Sequence, residues 1–132
     1  MAFVKDMVKV RAELNILGHD ASVPVGTEPH LTNERFVDIL KDNLMFCIEN
    51  DIMRKNFEEV ARHEAVLVLN HKRNKLDGYI GISALMEMAI AHFLKKKIFL
   101  YYPHPDYNKV RWAHEVAIMQ PIIIHGDLTK IK

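Results

Sequence analysis

The chain has 132 residues, of which 49% are hydrophobic and 27% are charged, and its formal net charge is +1. This length suits one domain with a single core, and the composition excludes a disordered or fibrous chain. A net charge near zero gives no electrostatic reason to expect a nucleic-acid polymer or an acidic membrane as a partner. No apolar stretch approaches the roughly 20 residues that span a bilayer, and we find no signal peptide.

The cysteine and histidine content argues against disulfides, metal sites and cofactors. Cys47 is the only cysteine, so an internal disulfide is impossible, and its apolar neighbours predict a small core residue. A chain without disulfides suits a reducing cytosol, so we expect a cytoplasmic protein. The eight histidines show no metal-ligand spacing, and neither a dinucleotide-binding fingerprint nor a P-loop occurs. We therefore expect no metal and no cofactor.

The first half of the chain is predicted to hold helices and one short strand. Residues 2–17 carry apolar side chains at helical spacing, which predicts an amphipathic helix. Ala21–Val25 is predicted as a strand, and a loop follows it. The helical pattern resumes near residue 32 and continues to about residue 63, with Asn50 or Asp51 as a possible break and new N-cap.

The second half alternates apolar strands with helices. Ala65–Leu69 is a continuous apolar run of the kind that parallel sheets bury on both faces. Ile98–Tyr101 and Pro121–Ile124 are the next predicted strands. One helix begins near residue 82 or 83 and ends at residue 94, and residues 108–119 are predicted to form another.

The predicted order of elements, α-β-α(α)-β-α-β-α-β, implies an α/β fold with a parallel sheet and right-handed crossovers. Parallel sheets of this kind bind ligands in the crevice beyond the carboxyl ends of their strands. The polar segment Asn70–Gly81 follows the first apolar strand and lies at such an end. We therefore expect the ligand site at that edge of the sheet.

Glu87 is the candidate catalytic residue because it is the one carboxylate in the apolar run Gly78–Leu94. Ile90, Ala91 and Leu94 follow it at helical spacing, so Glu87 lies on an apolar stripe. Because desolvating a charge is costly, a carboxylate there is expected to have a partner or a task. We expect the positive end of the helix to keep Glu87 ionised, as a nucleophile toward an electron-poor sugar carbon requires. The alternative is that Glu87 only binds a nearby backbone group or an arginine.

The polar loop before this helix, together with the start of the helix, is the candidate substrate-binding segment. Its glycines allow close approach of the backbone to a ligand, its amide and carboxylate groups suit sugar hydroxyls, and its tyrosine suits stacking on a base. The candidate substrate-binding residues are Asn70, Asp77, Gly78, Tyr79, Gly81 and Ser83. The alternatives are a solvated surface loop and, for Tyr79, packing over the edge of the sheet.

Three histidines closely follow predicted strands: His71, His104 and His125. Each can enter the crevice at the carboxyl edge of the sheet, although a solvated loop position is the alternative for each.

Two segments flank the glutamate in a characteristic order. Gly78-Tyr79-Ile80-Gly81 leads into Leu85-Met86-Glu87-Met88-Ala89-Ile90-Ala91-His92, and Lys95-Lys96-Lys97-Ile98-Phe99-Leu100 follows. Together they resemble the nucleoside 2-deoxyribosyltransferase superfamily, which has a small-x-x-x-E-[LIM]-G/A-x-A helix, a Gly-Lys-Pro-like turn and a strand. In this resemblance Glu87 matches the family's nucleophilic glutamate. The segment 119–123 is similar to the close of uncharacterised members.

The resemblance implies a flavodoxin-like or Rossmann-like three-layer sandwich with a parallel sheet of about four to five strands. It implies cleavage of the N-glycosidic bond of a 2-deoxynucleoside or its 5′-monophosphate, with transfer of the sugar to another base or to water. It implies a small-molecule nucleoside or nucleotide as the ligand, no cofactor, and a homodimer or larger assembly in which a neighbouring subunit helps to complete each site. The alternative is a non-catalytic nucleotide-binding or interaction module on the same fold.

The chain departs from the family pattern in two places. Members often carry Asp or Ser six residues before the glutamate, where this chain has Gly81, so Asp77 or Ser83 would have to substitute. The family also starts with a strand, central in the sheet order 2-1-3-4-5, whereas this sequence starts inside the first predicted helix. Because a gap in the sheet would leave backbone groups unpaired, we predict that Ala21–Val25 pairs directly with Ala65–Leu69, or that another chain supplies a strand.

Overall fold

The structure, a computed structural model, describes residues 3–26 and 40–132. The chain divides into two compact units, Met1–Glu59 and Val60–Lys132. The predicted loop after residue 26 and the predicted helical residues 32–39 lie outside the described residues.

The regular structure described in the first unit is helical. Helix α1 spans Val4–Ile16 and buries Val4, Val10 and Leu14 at helical spacing. Helix α2 spans Leu40–Glu49, and helix α3 spans Ile52–Arg62, whose last three residues belong to the second unit. The predicted break at residues 50 and 51 is confirmed, since Asp51 has a φ of 50° between the two helices.

The predicted strand Ala21–Val25 is wrong, because residues 21–24 form no strand and Val25 lies in a turn. Side chains bind the backbone groups that a strand would offer to a neighbour. The N–H of Ala21 donates to Asn15 Oδ1 at 2.9 Å. The N–H of Val25 donates to Asn56 Oδ1 at 2.6 Å, and Asn56 Nδ2 donates to the Val25 carbonyl at 3.4 Å. The predicted pairing of Ala21–Val25 with Ala65–Leu69 is therefore also wrong.

The second unit is a parallel sheet with helices between its strands. Its elements are β1 (Ala65–Val68), α4 (Ile82–Phe93), β2 (Lys97–Leu100), α5 (Arg111–Ile118), β3 (Ile122–Ile123) and a 3₁₀ helix (Leu128–Lys130). The strands lie in the order β1-β2-β3, and both pairs are parallel. Val66 lies beside Ile98, and Phe99 lies beside Ile122.

The described residues therefore form a mixed α/β fold with five α-helices and a three-stranded parallel sheet. The predicted strand count of four to five is wrong for this part of the chain. The three predicted strands of the second half are confirmed, and no strand end differs from its predicted position by more than one residue. The remaining predicted strand, Ala21–Val25, is absent because the side chains of Asn15 and Asn56 bind its backbone groups.

The core of the second unit lies where α4 and α5 meet the sheet. Met88 and Ala91 of α4 are fully buried, as are Leu100 of β2 and Val116 of α5. β2 is the middle strand, and its last three residues are buried, in agreement with a strand that is covered on both faces. This packing fixes α4, which carries Glu87, against β1 and β2.

Among the described helices, none combines the length and the apolar character needed to cross a membrane.

Candidate active site

A cavity of about 790 Å³ lies at the carboxyl edge of the sheet, between the segments that follow β1 and β2. The residues that line it are His71, Lys72, Asp77, Gly78, Tyr102, Pro103, His104, Pro105 and Asp106. The cavity therefore lies where ligands bind in parallel α/β sheets. Asp77 and Gly78 are the predicted substrate-binding residues that line it, together with two of the histidines expected near this edge.

Asn70 joins the two segments that form the walls. Its side chain is fully buried, and Nδ2 donates to the Tyr102 carbonyl at 2.6 Å, while the Tyr102 N–H donates to Oδ1 at 2.8 Å. The amide thus replaces a peptide group and continues the β1–β2 pairing beyond the last strand residues. The observed contacts of Asn70 hold the segment after β2 in place, and its predicted binding of a sugar hydroxyl stays a prediction.

Gly78 sets the separation of the same two segments. Its φ is +74°, and a Cβ on it would lie 2.2 Å from the carbonyl oxygen of Pro103. Glycine is therefore required both for the left-handed backbone and for the close approach. The predicted close approach of backbone at Gly78 is directed at Pro103.

A two-residue hairpin forms the outer part of the loop 70–81. Arg73 and Leu76 exchange backbone hydrogen bonds at 3.1 and 2.9 Å, and Asn74 and Lys75 between them have φ values of 52° and 63°. Two consecutive positive φ values define a type I′ turn. The predicted loop therefore contains a regular turn.

Tyr79, near the end of the loop, packs against Arg73 of this hairpin. The Arg73 guanidinium lies 5.7 Å from the centre of the Tyr79 ring, and Tyr79 is half-buried. Tyr79 does not line the cavity, so base stacking by its ring stays a prediction.

An aromatic cluster forms one wall of the cavity. The ring centroids of Tyr101 and Tyr102 are 4.9 Å apart, and the His71 ring lies 5.1 Å from Tyr101 and 5.4 Å from Tyr102. These are the tilted and edge-to-face arrangements that aromatic pairs favour. The wall is therefore held by ring contacts between the two segments.

Glu87 is the sixth residue of α4 and is half-buried. It lies one helical turn from partly buried Ala84 and fully buried Ala91, as its predicted place on the apolar stripe requires. Within residues 3–26 and 40–132, no hydrogen bond or ion pair holds its carboxyl group. No fully enclosed side-chain oxygen in this part of the chain lacks a partner, so the Glu87 oxygens keep contact with solvent. The expected alternative, a carboxylate bound to a backbone group or an arginine, is not what the structure shows.

Burial raises the pKa of Glu87 from 4.5 to about 7. The amide end of the helix therefore does not keep this group fully ionised, and the prediction that it does is wrong. The stabilising effect of a helix N-terminus falls off within the first turn, and the sixth residue lies beyond it. Desolvation therefore prevails, and Glu87 changes its charge near neutral pH.

Gly81 and Ser83 lie at the start of α4. Gly81 is the N-cap residue, with open space around the position of a Cβ, and Ser83 is exposed in the first turn. Neither residue lines the cavity, and Glu87 does not line it either. Glu87 lies five residues after Ile82, which is about 7.5 Å along the helix axis.

In the segment after β2 the sequence singled out only His104 as a residue that can enter the site. Tyr102, Pro103, Pro105 and Asp106 also line the cavity, and the sequence analysis did not identify them. Its position after the middle strand of a parallel sheet is the signal that identifies it, since neighbouring strand ends share one edge.

Comparison of the chain with models of known protein families, with curated proteins and with solved structures gave no match. In the described residues, no three His, Cys, Asp or Glu side chains come together as a metal site.

Proposed function

We propose that the protein cleaves the N-glycosidic bond of a 2-deoxynucleoside or its 5′-monophosphate and transfers the sugar to another base or to water. Glu87 is the proposed nucleophile. The cavity beyond β1 and β2 is the proposed substrate site, with Asp77 and Gly78 in its wall.

The observation that carries the proposal is the state of Glu87. Its carboxyl group is half-buried, has no protein partner within the described residues and has a pKa of about 7. A structural glutamate in an apolar helix is expected to be paired, because an unpaired buried charge is costly. Carboxyl groups whose pKa is strongly shifted cluster at functional sites, which supports a role for Glu87 in the reaction.

The proposed reaction has two displacements at the C1′ carbon of the sugar. First, ionised Glu87 forms a C1′–O bond, the C1′–N bond breaks, and its electron pair leaves with the base, which takes up a proton. Then water or an acceptor base forms a bond to C1′. The ester bond breaks, its electron pair returns to the Glu87 carboxylate, and the attacking group loses a proton.

The proposed partner of the chain is a second copy of itself. The resemblance to deoxyribosyltransferases implies that a neighbouring subunit helps to complete each site. Glu87 does not line the cavity of a single chain. A complete site therefore needs further groups that bring the bound sugar to Glu87, and a second subunit is the proposed source of them.

A non-catalytic nucleotide-binding module is the second candidate function. Two observations favour it: Gly81 lacks the side chain that the family carries there, and Glu87 lies outside the cavity wall. A binding module is stabilised by nucleoside without consuming it, so thermal shift measured alongside product analysis separates the two functions.

The test of the proposed function is turnover of 2-deoxynucleosides and their monophosphates, with and without an acceptor base. We expect release of free base by the wild-type chain and a loss of at least about a hundredfold in Glu87→Gln, since the amide cannot form the ester. Glu64→Gln is the matched control, because Glu64 is an exposed glutamate of the same unit. Equal rates in wild type and Glu87→Gln would remove Glu87 from the reaction.

A further inference from the structure

We propose that the cavity beyond β1 and β2 binds the base of the nucleoside, and that it selects bases with an exocyclic amino group. The identity of the ligand as a nucleoside rests on the proposed function, whereas the argument for the base and its amino group rests on the cavity itself.

The cavity offers a flat aromatic face. Tyr102 lines it and keeps 41% of its surface exposed, while Tyr101 and His71 support its ring from the sides. Every nucleobase has a π-face that stacks on an aromatic ring, which is worth about 1–3 kcal/mol per base. A phosphate has no π-face with which to stack on this wall.

The walls are held in place before a ligand arrives. Asn70 binds the backbone of Tyr102, Gly78 approaches the Pro103 carbonyl closely, and buried Pro105 restricts the segment that follows. A rigid flat ring binds well to a rigid wall, because little conformational entropy is lost on binding.

The charges of the cavity favour hydrogen-bond donors over a phosphate. Asp77 and Asp106 line the cavity, and Lys72 is the only lysine or arginine among the lining residues. Lys72 lies 3.9 Å from Asp77, so these two charges oppose each other, and Asp106 is the lining carboxylate that no such cation opposes within the described residues. Carboxylates only accept hydrogen bonds, so they suit the amino group of a base and repel carbonyl and phosphate oxygens.

Asp106 is placed to act as such an acceptor. One of its oxygens accepts from the Asn108 N–H at 2.9 Å, which fixes the carboxylate in the turn after β2. The other carboxylate oxygen remains for the amino group of a base. Adenine and cytosine carry this donor, whereas hypoxanthine and uracil carry a carbonyl oxygen at the same place.

The experiment is calorimetric titration of the wild-type full chain with adenine and with hypoxanthine, which have nearly the same size. We expect adenine to bind about tenfold more tightly, as one hydrogen bond to a charged group implies. Asp106→Asn keeps an acceptor for the Asn108 N–H and is expected to reduce this preference to less than about threefold. Equal affinities for the two bases in the wild type would overturn the selection of amino groups.

Tyr102→Leu tests the aromatic face, and Tyr107→Leu is its matched control. Tyr107 is 52% exposed and does not line the cavity. We expect Tyr102→Leu to weaken adenine binding about tenfold and Tyr107→Leu to leave it unchanged. Equal effects of the two substitutions, or no adenine binding by the wild type at millimolar concentration, would overturn the base site.

The two proposals fail separately. Adenine binding in a chain that consumes no nucleoside contradicts the proposed function and leaves the base site standing. Turnover that depends on Glu87, with a KM unchanged by Tyr102→Leu, contradicts the base site and leaves the proposed function standing.

Discussion

At the scale of single residues, Glu87 combines an apolar setting with an ionisable group. Its place on an apolar helix stripe could be predicted from the sequence, because helical spacing determines which residues share a face. Its charge state could not, because the pKa depends on how far the sheet and the neighbouring turns exclude water. The result is a carboxyl group that is half ionised near neutral pH.

The raised pKa of Glu87 predicts how stability depends on pH. The folded state binds the proton of the Glu87 carboxyl group more tightly than the unfolded state does, so protonation of Glu87 favours folding. This contribution to the unfolding free energy is fully present below about pH 4.5 and is lost as the pH rises through about 7. The whole shift corresponds to at most about 3 kcal/mol. Glu87→Gln removes this dependence, so we expect it to match the wild type near pH 4 and to exceed its unfolding free energy by about 1–3 kcal/mol near pH 8.

Urea denaturation at both pH values measures this difference, with Glu64→Gln as the control that follows the wild type. A constant difference between Glu87→Gln and the wild type at the two pH values would show that Glu87 keeps its ordinary pKa.

Asn70 shows what sequence reasoning misses at this scale. The polar loop predicted ligand contacts for its amide, but its observed partners belong to a segment 32 residues later. Such a contact follows from the pairing of β1 with β2, which a single sequence does not display.

At the scale of elements, the apolar runs of the second half predicted three strands and the helix between the first two. Residues 21–25 failed as a strand because Asn15 and Asn56 bind their backbone groups. Short apolar runs with a proline are ambiguous, since side chains can supply the hydrogen bonds that a sheet would supply.

Substitution of the two glycines in the loop 70–81 is expected to affect stability to very different extents. Gly78→Ala places a Cβ 2.2 Å from the Pro103 carbonyl at a φ of +74°, so we expect a loss of at least about 2 kcal/mol of unfolding free energy. Gly81→Ser has open space and occupies an N-cap position, where serine is favoured, so we expect a change within about 0.5 kcal/mol. Thermal or urea denaturation compares the two, and similar losses would contradict the close approach at Gly78.

At the scale of the whole molecule, the alternation of strands and helices predicted the α/β class and the parallel sheet correctly. The number of strands was not predictable, because it rested on one short segment and on a family resemblance. Within the described residues, β1 pairs with β2 alone, so the prediction that another chain supplies a strand stays a prediction.

The proposed homodimer predicts a concentration-dependent assembly. Helix α4 buries one face against the sheet, yet Ile82 and Phe93 on its other side are 80% and 81% exposed. A helix that is apolar all round is typically buried. We expect sedimentation velocity to show a species of twice the chain mass, and Phe93→Lys to shift it toward the monomer. A wild-type monomer at every concentration tested would contradict the assembly.

Trapping the covalent intermediate tests the role of Glu87 as nucleophile. Incubation of the full chain with a 2-deoxy-2-fluoro nucleoside, which slows breakdown of the ester, is followed by digestion and mass spectrometry. We predict a sugar adduct on Glu87, absent in Glu87→Gln and present in Glu64→Gln. Turnover of nucleoside with the adduct on another side chain, or with no adduct in any peptide, would contradict the account.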